Sequence, residues 1–322
     1  MENENAVTAA QKIAEKIVNN VGKVIIGKMA AIELAVIALI TRGHLLIEDA
    51  PGVGKTMLAR SLAKSINCTF KRIQFTPDML PGDITGVSVY NQKTTDFEFR
   101  PGPIMAQVVL ADEINRATPK VQSALLECMG EGQITVDGIT YQMPAPFNVL
   151  ATQNPIEYEG TFPLPETQLD RFLLRISLGY PSSTDEMAIM EGQQFVHPIE
   201  EISFVAEASD VLAVQKTVKE VYVDDLVKQY IVALVEATRH HPSIYLGVSP
   251  RGSLGLYRTA QARAMMQGRD FVLPDDVKVL ADPVLSHRII TRSTDHSIDR
   301  SGRDSIAELI ETVPVPGTVL KE

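Results

Sequence analysis

The sequence predicts an α/β chain in which a mostly parallel sheet, covered by helices on both faces, is followed by a smaller helical domain. Three observations carry this. Short apolar runs, as strands buried on both faces show, recur at residues 44–48, 70–75, 107–111, 148–152 and 172–178. Helical stretches stand between most of them. After Gly179-Tyr-Pro-Ser-Ser-Thr184 the strand-like runs stop and helical spacing takes over. At 322 residues and about 150 residues per domain, the chain holds two domains. Residues 1–180, N-terminal helix included, form the α/β core, and residues 181–322 the helical one.

In chain order, residues 6–21 place Ile13, Ala14, Ile17 and Val18 at helical spacing. Val24-Ile-Ile-Gly-Lys28 breaks that pattern, and a more apolar helix runs over 29–41. Gly43 ends it, and the first strand follows. Residues 56–65 and 118–131 read as helices, the second with Thr118 as cap and Pro119 in its first turn. Two segments interrupt the alternation. Residues 86–100 carry Val87-Ser-Val-Tyr90 and Phe97-Glu-Phe99 around a polar turn, and residues 133–143 carry Val136-Asp-Gly-Ile139, a strong hairpin signal. Both predict hairpins that project from the sheet domain. Phe97 and Phe99 either line a contact face or pack the hairpin onto its own domain. In the second domain helices are predicted over 185–194, 224–240, 250–267 and 274–287, with Ser249 capping the third. His240-His241 reads as a solvated helix end without carboxylate or cysteine at ligand spacing. The final twenty or so residues, polar and then Pro-rich, read as loosely held.

Composition narrows the function classes. Hydrophobic residues are 45% and charged residues 22%, ordinary for a globular chain. Two cysteines form neither a disulfide framework nor a zinc site, which fits a reducing compartment and a cytoplasmic location. The first residues are acidic, unlike a signal peptide, and the apolar stretch 30–40 is too short to span a bilayer. A net charge of −10 disfavours nucleic acid and anionic membranes as partners.

The segment Leu45-Leu-Ile-Glu-Asp-Ala-Pro-Gly-Val-Gly-Lys-Thr56 lies between a predicted strand and a predicted helix. A tight loop through Pro51, Gly52, Val53 and Gly54 points backbone N–H groups at phosphate oxygens, and the helix N-terminus adds positive potential. Lys55 would reach the β- and γ-phosphates, and the Thr56 hydroxyl would ligate magnesium. Asp49 stands where the general G-x-x-x-x-G-K-[ST] pattern has its first glycine. Further on, Val108-Val-Leu-Ala-Asp-Glu113 is a buried strand that ends in two acids. Asp112 is placed to hold the magnesium shell, and Glu113 to activate water against the γ-phosphate. Together these predict ATP and Mg2+ as cofactors and hydrolysis as the reaction.

With both motifs in place the chain resembles the AAA+ ATPases and, within them, the MoxR family. The resemblance rests on Glu48-Asp-Ala-Pro-Gly-Val-Gly-Lys-Thr56, Asp112-Glu-Ile-Asn-Arg-Ala117, Gln122-Ser-Ala-Leu-Leu-Glu127 and Ala151-Thr-Gln-Asn-Pro155. Leu164-Pro-Glu-Thr-Gln-Leu-Asp-Arg-Phe172 and Gly247-Val-Ser-Pro-Arg251 complete it. These run in family order over residues 24–253, and Asp49 is itself usual for MoxR proteins. The resemblance implies a P-loop αβα sandwich with a five-stranded parallel sheet, two inserted hairpins and an all-helical lid. It implies that Asn154 orients the attacking water as sensor 1. Arg171 resembles the arginine finger of a neighbouring subunit, with Arg175 as a weaker alternative, and Arg251 resembles sensor 2. Arg251 lies at a helix N-terminus, where its charge opposes the dipole and needs an anion, which nucleotide phosphate would supply. Ile26 and Gly27 resemble the loop that packs adenine.

The resemblance further implies a homo-oligomer, a hexameric ring, acting as a chaperone-like remodeller that assists maturation or assembly of client proteins, with von Willebrand factor A domain proteins as partners. A nucleic-acid motor and a metal-chelatase-type ATPase subunit are the alternatives within the same clade. The acidic balance counts against the first of these, and an intact Glu113 counts against a non-hydrolysing scaffold.

Overall fold

The computed structural model of the chain describes residues 2–154, 160–292 and 298–316. The first part runs α1 (Glu2–Gly22), α2 (Met29–Ile40), β1 (Leu45–Glu48), α3 (Lys55–Ser65), β2 (Phe70–Gln74), α4 (Pro81–Thr85), β3 (Gly86–Asn91), β4 (Asp96–Pro101) and β5 (Val108–Asp112). It continues through α5 (Pro119–Glu131), β6 (Gln133–Val136), β7 (Ile139–Gln142), β8 (Asn148–Gln153), α6 (Glu166–Leu169) and β9 (Leu174–Ile176). The second part holds α7 (Ser183–Gly192), α8 (Pro198–Glu201), α9 (Ala208–Glu220), α10 (Asp225–His240), β10 (Ile244–Leu246), α11 (Pro250–Met266), α12 (Pro274–Leu285), β11 (Ile290–Thr291) and α13 (Ile298–Thr312).

The five predicted strands form one parallel sheet in the order β2-β5-β8-β1-β9. In β1, β5 and β8 the apolar runs are nearly unbroken because alternate side chains enter two separate cores. Contrary to expectation β2, at the edge, is not buried on both faces and exposes Lys71, Arg72 and Gln74. Leu45, Ile47, Val108, Leu110, Leu150, Leu174 and Ile176 face a core shared with α1, α2 and α3. Leu46, Val109, Ala111, Val149 and Ala151 face the opposite one, with Leu125 and Leu126 of α5 and Phe75. The near-uniform burial of α2 has the same origin: it lies against β9 on one side and against α1, α9 and α11 on others.

Both hairpins form, as the antiparallel pairs β3–β4 and β6–β7. Asp137 and Gly138 take positive φ, 51° and 79°, as the Asp-Gly turn requires. The two aromatic side chains of β4 divide the alternatives between them. Phe99 stacks on Tyr141 of the second hairpin at 4.1 Å between ring centroids, while Phe97 is 68% exposed beside Tyr90.

Several local expectations are corrected. Thr118 occupies the N-cap of α5, yet its side chain makes no capping bond; Ser249 does cap α11, accepting from the Arg251 N–H at 3.2 Å. The chain end over 298–312 is a helix rather than a loose tail, because Ile306 and Leu309 are buried one turn apart against α10 and α12. Only residues 317–322 of the expected loose tail lie outside the described residues. His241 is buried and lies 3.4 Å from Glu308 of α13, so only His240 is a solvated end. The helix α9 went unread although Val211, Val214 and Val218 bury one stripe. The second part also carries the short antiparallel pair β10–β11 among its helices.

A buried histidine ties the base of the sheet together. His44, just before β1, accepts the Val149 N–H on Nδ1 at 3.0 Å, which leaves Nε2–H to donate to the Met129 carbonyl at 3.0 Å. Burial pushes its pKa down from 6.5 to about 4. In this window the unfolded chain takes up a proton that the folded chain refuses, so stability is lost as pH falls from 6.5 towards 4. The His44 contribution to that loss is about 3 kcal/mol between pH 7 and pH 4. Urea unfolding at both pH values should show a pH slope flatter by about this amount in His44→Asn, and an unchanged slope would refute the assignment.

Candidate active site

The C-terminal ends of the parallel strands converge on the loop that follows β1. Gly52 and Gly54 adopt φ of 84° and 97°, a conformation that L side chains rarely take. An added Cβ at Gly52 would meet nothing within 4 Å, so backbone conformation rather than crowding demands glycine there. Gly54 is the left-handed N-cap of α3, with Lys55 and Thr56 in the first turn of that helix. The Lys55 ammonium folds back and donates to the Asp49 carbonyl at 2.7 Å. Pro51 and Gly52 are exposed at the tip, and Val53 and Thr56 are half-buried.

The two acids stand two strands away, Asp112 at the end of β5 and Glu113 just past it. Asp112 is buried, and its carboxylate accepts from Arg72 of β2 at 2.6 Å on one oxygen and from the Thr152 hydroxyl at 2.5 Å on the other. Glu113, half-buried, sits in the left-handed region at φ 57°. Its backbone N–H donates to Thr152 Oγ1 at 2.8 Å, and its carboxylate accepts from Gln74 at 2.7 Å and Arg116 at 3.0 Å. Thr152 therefore sets the backbone of one acid and the side chain of the other.

Asn154 is buried just past β8. The end of that strand lies beside the loop, because the Asp49 N–H donates to the Gln153 carbonyl at 3.2 Å. Pro155, which closes the same motif, lies outside the described residues. On the other flank, Ile25 packs towards Gly54, Ile26 is half-buried, and Gly27 takes φ 75° beside the Asp185 carboxylate of α7.

Arg171 and Arg251 are brought together, but at the opposite end of the sheet. Both line a cavity of about 330 Å³ with Gly43, His44, Asp170, Leu173, Arg258 and Arg288. Gly43 and His44 enter β1 while the phosphate loop leaves it. At about 3.3 Å per residue, roughly 20 Å of extended chain separates the two. Arg171 donates to the Leu126 carbonyl at 2.8 Å. In the chain by itself an acid stands near the charge of Arg251, Asp170 at 3.9 Å, beside the anion that its helix terminus was expected to need. Asp170 also holds Arg288 at 2.8 Å rather than its neighbour Arg171. Burial pushes Arg288 down to about 10. Arg175 is excluded as an alternative finger: it is buried and pairs with Glu48 at 3.0 Å.

Arg72, Gln74, Thr152 and Asp170 were missed as functional neighbours. A faint signal existed for two of them, because Arg72 and Gln74 are spaced by two on β2 and share the face that meets Asp112 and Glu113.

A strand–loop–helix phosphate site, with an acid pair at the end of a strand two places away in the sheet, defines the class as an AAA+ ATPase. Comparison with known proteins agrees. Residues 44–174 match the model of the ATPase family associated with various cellular activities (AAA), and residues 236–309 match the AAA lid domain. The chain is 39% identical to the chaperone MoxR1 of Mycobacterium tuberculosis over 94% of its own length and 82% of the relative. It is 52% identical to the uncharacterized protein YeaC of Bacillus subtilis over 94% of both chains. A solved structure of a candidate ATPase from Cytophaga hutchinsonii superposes with a TM-score of 0.90 at 38% identity, covering 97% of each chain. The chain belongs to the MoxR family of AAA+ ATPases. It binds nucleotide and hydrolyses ATP. Among the described residues, no helix is long and apolar enough to cross a membrane.

Proposed function

We propose that the chain is the ATP-driven subunit of a homo-oligomeric, ring-forming remodeller, hexameric as in the family it resembles, that assists maturation or assembly of client proteins. The observation that carries the assembly is the split between the phosphate loop and the Arg171–Arg251 cavity. Two cations suited to phosphate stand at the end of the sheet where their own loop is out of reach. A second copy that presents its loop to that cavity completes both halves. The printed name of the Mycobacterium tuberculosis relative, a chaperone, supports client proteins as the target. Von Willebrand factor A domain proteins are proposed as partners on family resemblance, and the two reduced cysteines, with thiols pushed up to about 11 and 12 by burial, suit a cytoplasmic location.

In this reading Lys55 holds the β- and γ-phosphates, while the N–H groups of the loop at 51–54 cradle them. Among the described residues, no group of three or more His, Cys, Asp or Glu could hold a metal by itself. Magnesium does not need one, since it keeps waters and takes one or two protein oxygens beside phosphate. The Thr56 hydroxyl and the Asp112 carboxylate are hard oxygen donors of that kind, and Asp112 already holds a cationic partner in Arg72. These two residues would hold the ion, which supplies charge neutralisation of the phosphates. Glu113 accepts a proton from water, and Asn154 orients that water. Arg171 and Arg251 of the neighbouring copy stabilise the charge that develops on the γ-phosphate. Ile26 and Gly27 pack the base. We place the division between the ATPase core and the lid at residues 1–180 and 181–322.

Specific ATPase activity is expected to rise with protein concentration as copies associate, in step with the oligomer fraction from sedimentation. Activity that stays constant on dilution to monomer refutes the assembly. Filter binding of DNA across a salt series is expected to show no appreciable retention, and strong salt-dependent retention would favour a nucleic-acid motor instead.

A further inference from the structure

The first residue of the phosphate loop is the one place where this chain departs from the general pattern, and the departure is built into the fold. Asp49 is buried, 8% exposed as a residue. A single carboxylate oxygen, Oδ2, accepts from Ser177 Oγ at 3.1 Å, from the Leu178 N–H at 2.5 Å and from the Gly179 N–H at 2.8 Å. The other oxygen accepts from the Ala50 N–H at 3.2 Å. Residues 177–179 are the connector that leaves β9 and leads through Tyr180 and Pro181 to Ser182, the N-cap of α7. The backbone carbonyl of the same Asp49 accepts from Lys55.

From this geometry we infer that Asp49 is a positioning residue, which ties the phosphate loop to the connector into the second domain so that the lid follows the nucleotide state of Lys55. The inference rests on the loop being the nucleotide site. Three donors that converge on one buried carboxylate oxygen form strong, directional bonds. Glycine at this position would leave the Leu178 and Gly179 N–H groups without that acceptor, and the connector could then take other paths. Phosphate needs no carboxylate at this point of the loop, since the general pattern supplies only glycine there. The Asp49 side chain therefore serves the connector. A second strap holds the connector from the far side, where Lys28 donates to the Tyr180 carbonyl at 2.7 Å. When Lys55 turns to phosphate it releases the Asp49 carbonyl, and Asp49, which feels this release, also grips the connector.

The test compares Asp49→Gly, Asp49→Asn and Ser177→Ala with wild type in the full chain. It reads ATP affinity by calorimetry, kcat and KM of hydrolysis, and the distance between dyes on α5 and α10 with and without ATP. Asp49→Gly is expected to bind ATP with near wild-type affinity, to lose the ATP-dependent change in dye distance, and to lose about 10-fold or more of kcat, as misplacement remote from the chemistry does. Asp49→Asn should fall between, because its carbonyl oxygen can still accept from the connector. Ser177→Ala, which removes one bond of three, should reduce the distance change least. A wild-type distance change and kcat in Asp49→Gly overturns the inference. Should Asp49→Gly fail to fold by circular dichroism, a wild-type distance change in both milder variants overturns it. Lys55→Ala serves as the separate control: undiminished ATP affinity there refutes the loop as the nucleotide site, whatever the Asp49 variants do.

Discussion

Arg171→Ala is expected to keep ATP binding and to lose hydrolysis by about 10³-fold or more, the scale of an arginine supplied by a neighbour. The guanidinium stands at the N-terminal end of β9, beside Gly130 and the Leu126 carbonyl of α5, with Arg251 and Arg258 lining the same cavity. Its own phosphate loop begins where the adjacent strand β1 ends, at the other end of the strands. A loss confined to turnover would therefore come from the copy next door. Mixing Arg171→Ala with Lys55→Ala should restore part of the activity, since one kind of mixed interface joins an intact loop to an intact arginine. Steady-state ATPase assays of each variant and of the mixture check this. An absence of rescue, together with full activity in Arg171→Ala, would remove Arg171 from the reaction.

The second large effect belongs to Glu113→Gln, expected to bind ATP normally and hydrolyse it at least ~100-fold more slowly, as loss of a positioned general base does. Glutamine keeps the shape and the acceptor oxygen that meets Gln74 and Arg116, but it cannot take a proton. The backbone clamp from Thr152 does not depend on this side chain, so the loop and Asp112 should stay in place. Single-turnover hydrolysis measures the chemical step directly. Near-normal turnover would mean that another residue activates the water.

The central parallel strands were legible because burial on both faces leaves no polar alternation to confuse the reading, and β2, exposed at the edge, was legible only by Phe70, Ile73 and Phe75. The loop was legible because glycine, lysine and threonine at fixed spacing answer a phosphate's geometry. What escaped was set by partners distant in the chain. Nothing near Arg72 foretells that β2 lies beside β5 and delivers it to Asp112. The chain end looked polar because Ile306 and Leu309 are sparse, and only the packing of α10 and α12 gives their stripe something to bury against. Arg251 was singled out by its resemblance to sensor 2, and the need for an anion beside it was read from its helix terminus. Its compensating acid, Asp170, comes from the segment before β9, 81 residues earlier by number, which local reasoning does not reach.

The stacked pair Phe99 and Tyr141 has a mechanical consequence. One ring belongs to the hairpin between β2 and β5 and the other to the hairpin that follows α5, and their planes meet at 21°. Two projections joined in this way are mechanically coupled, so a displacement at the root of either would be transmitted to the other. The exposed ring of Phe97 is carried on the same joined pair of hairpins.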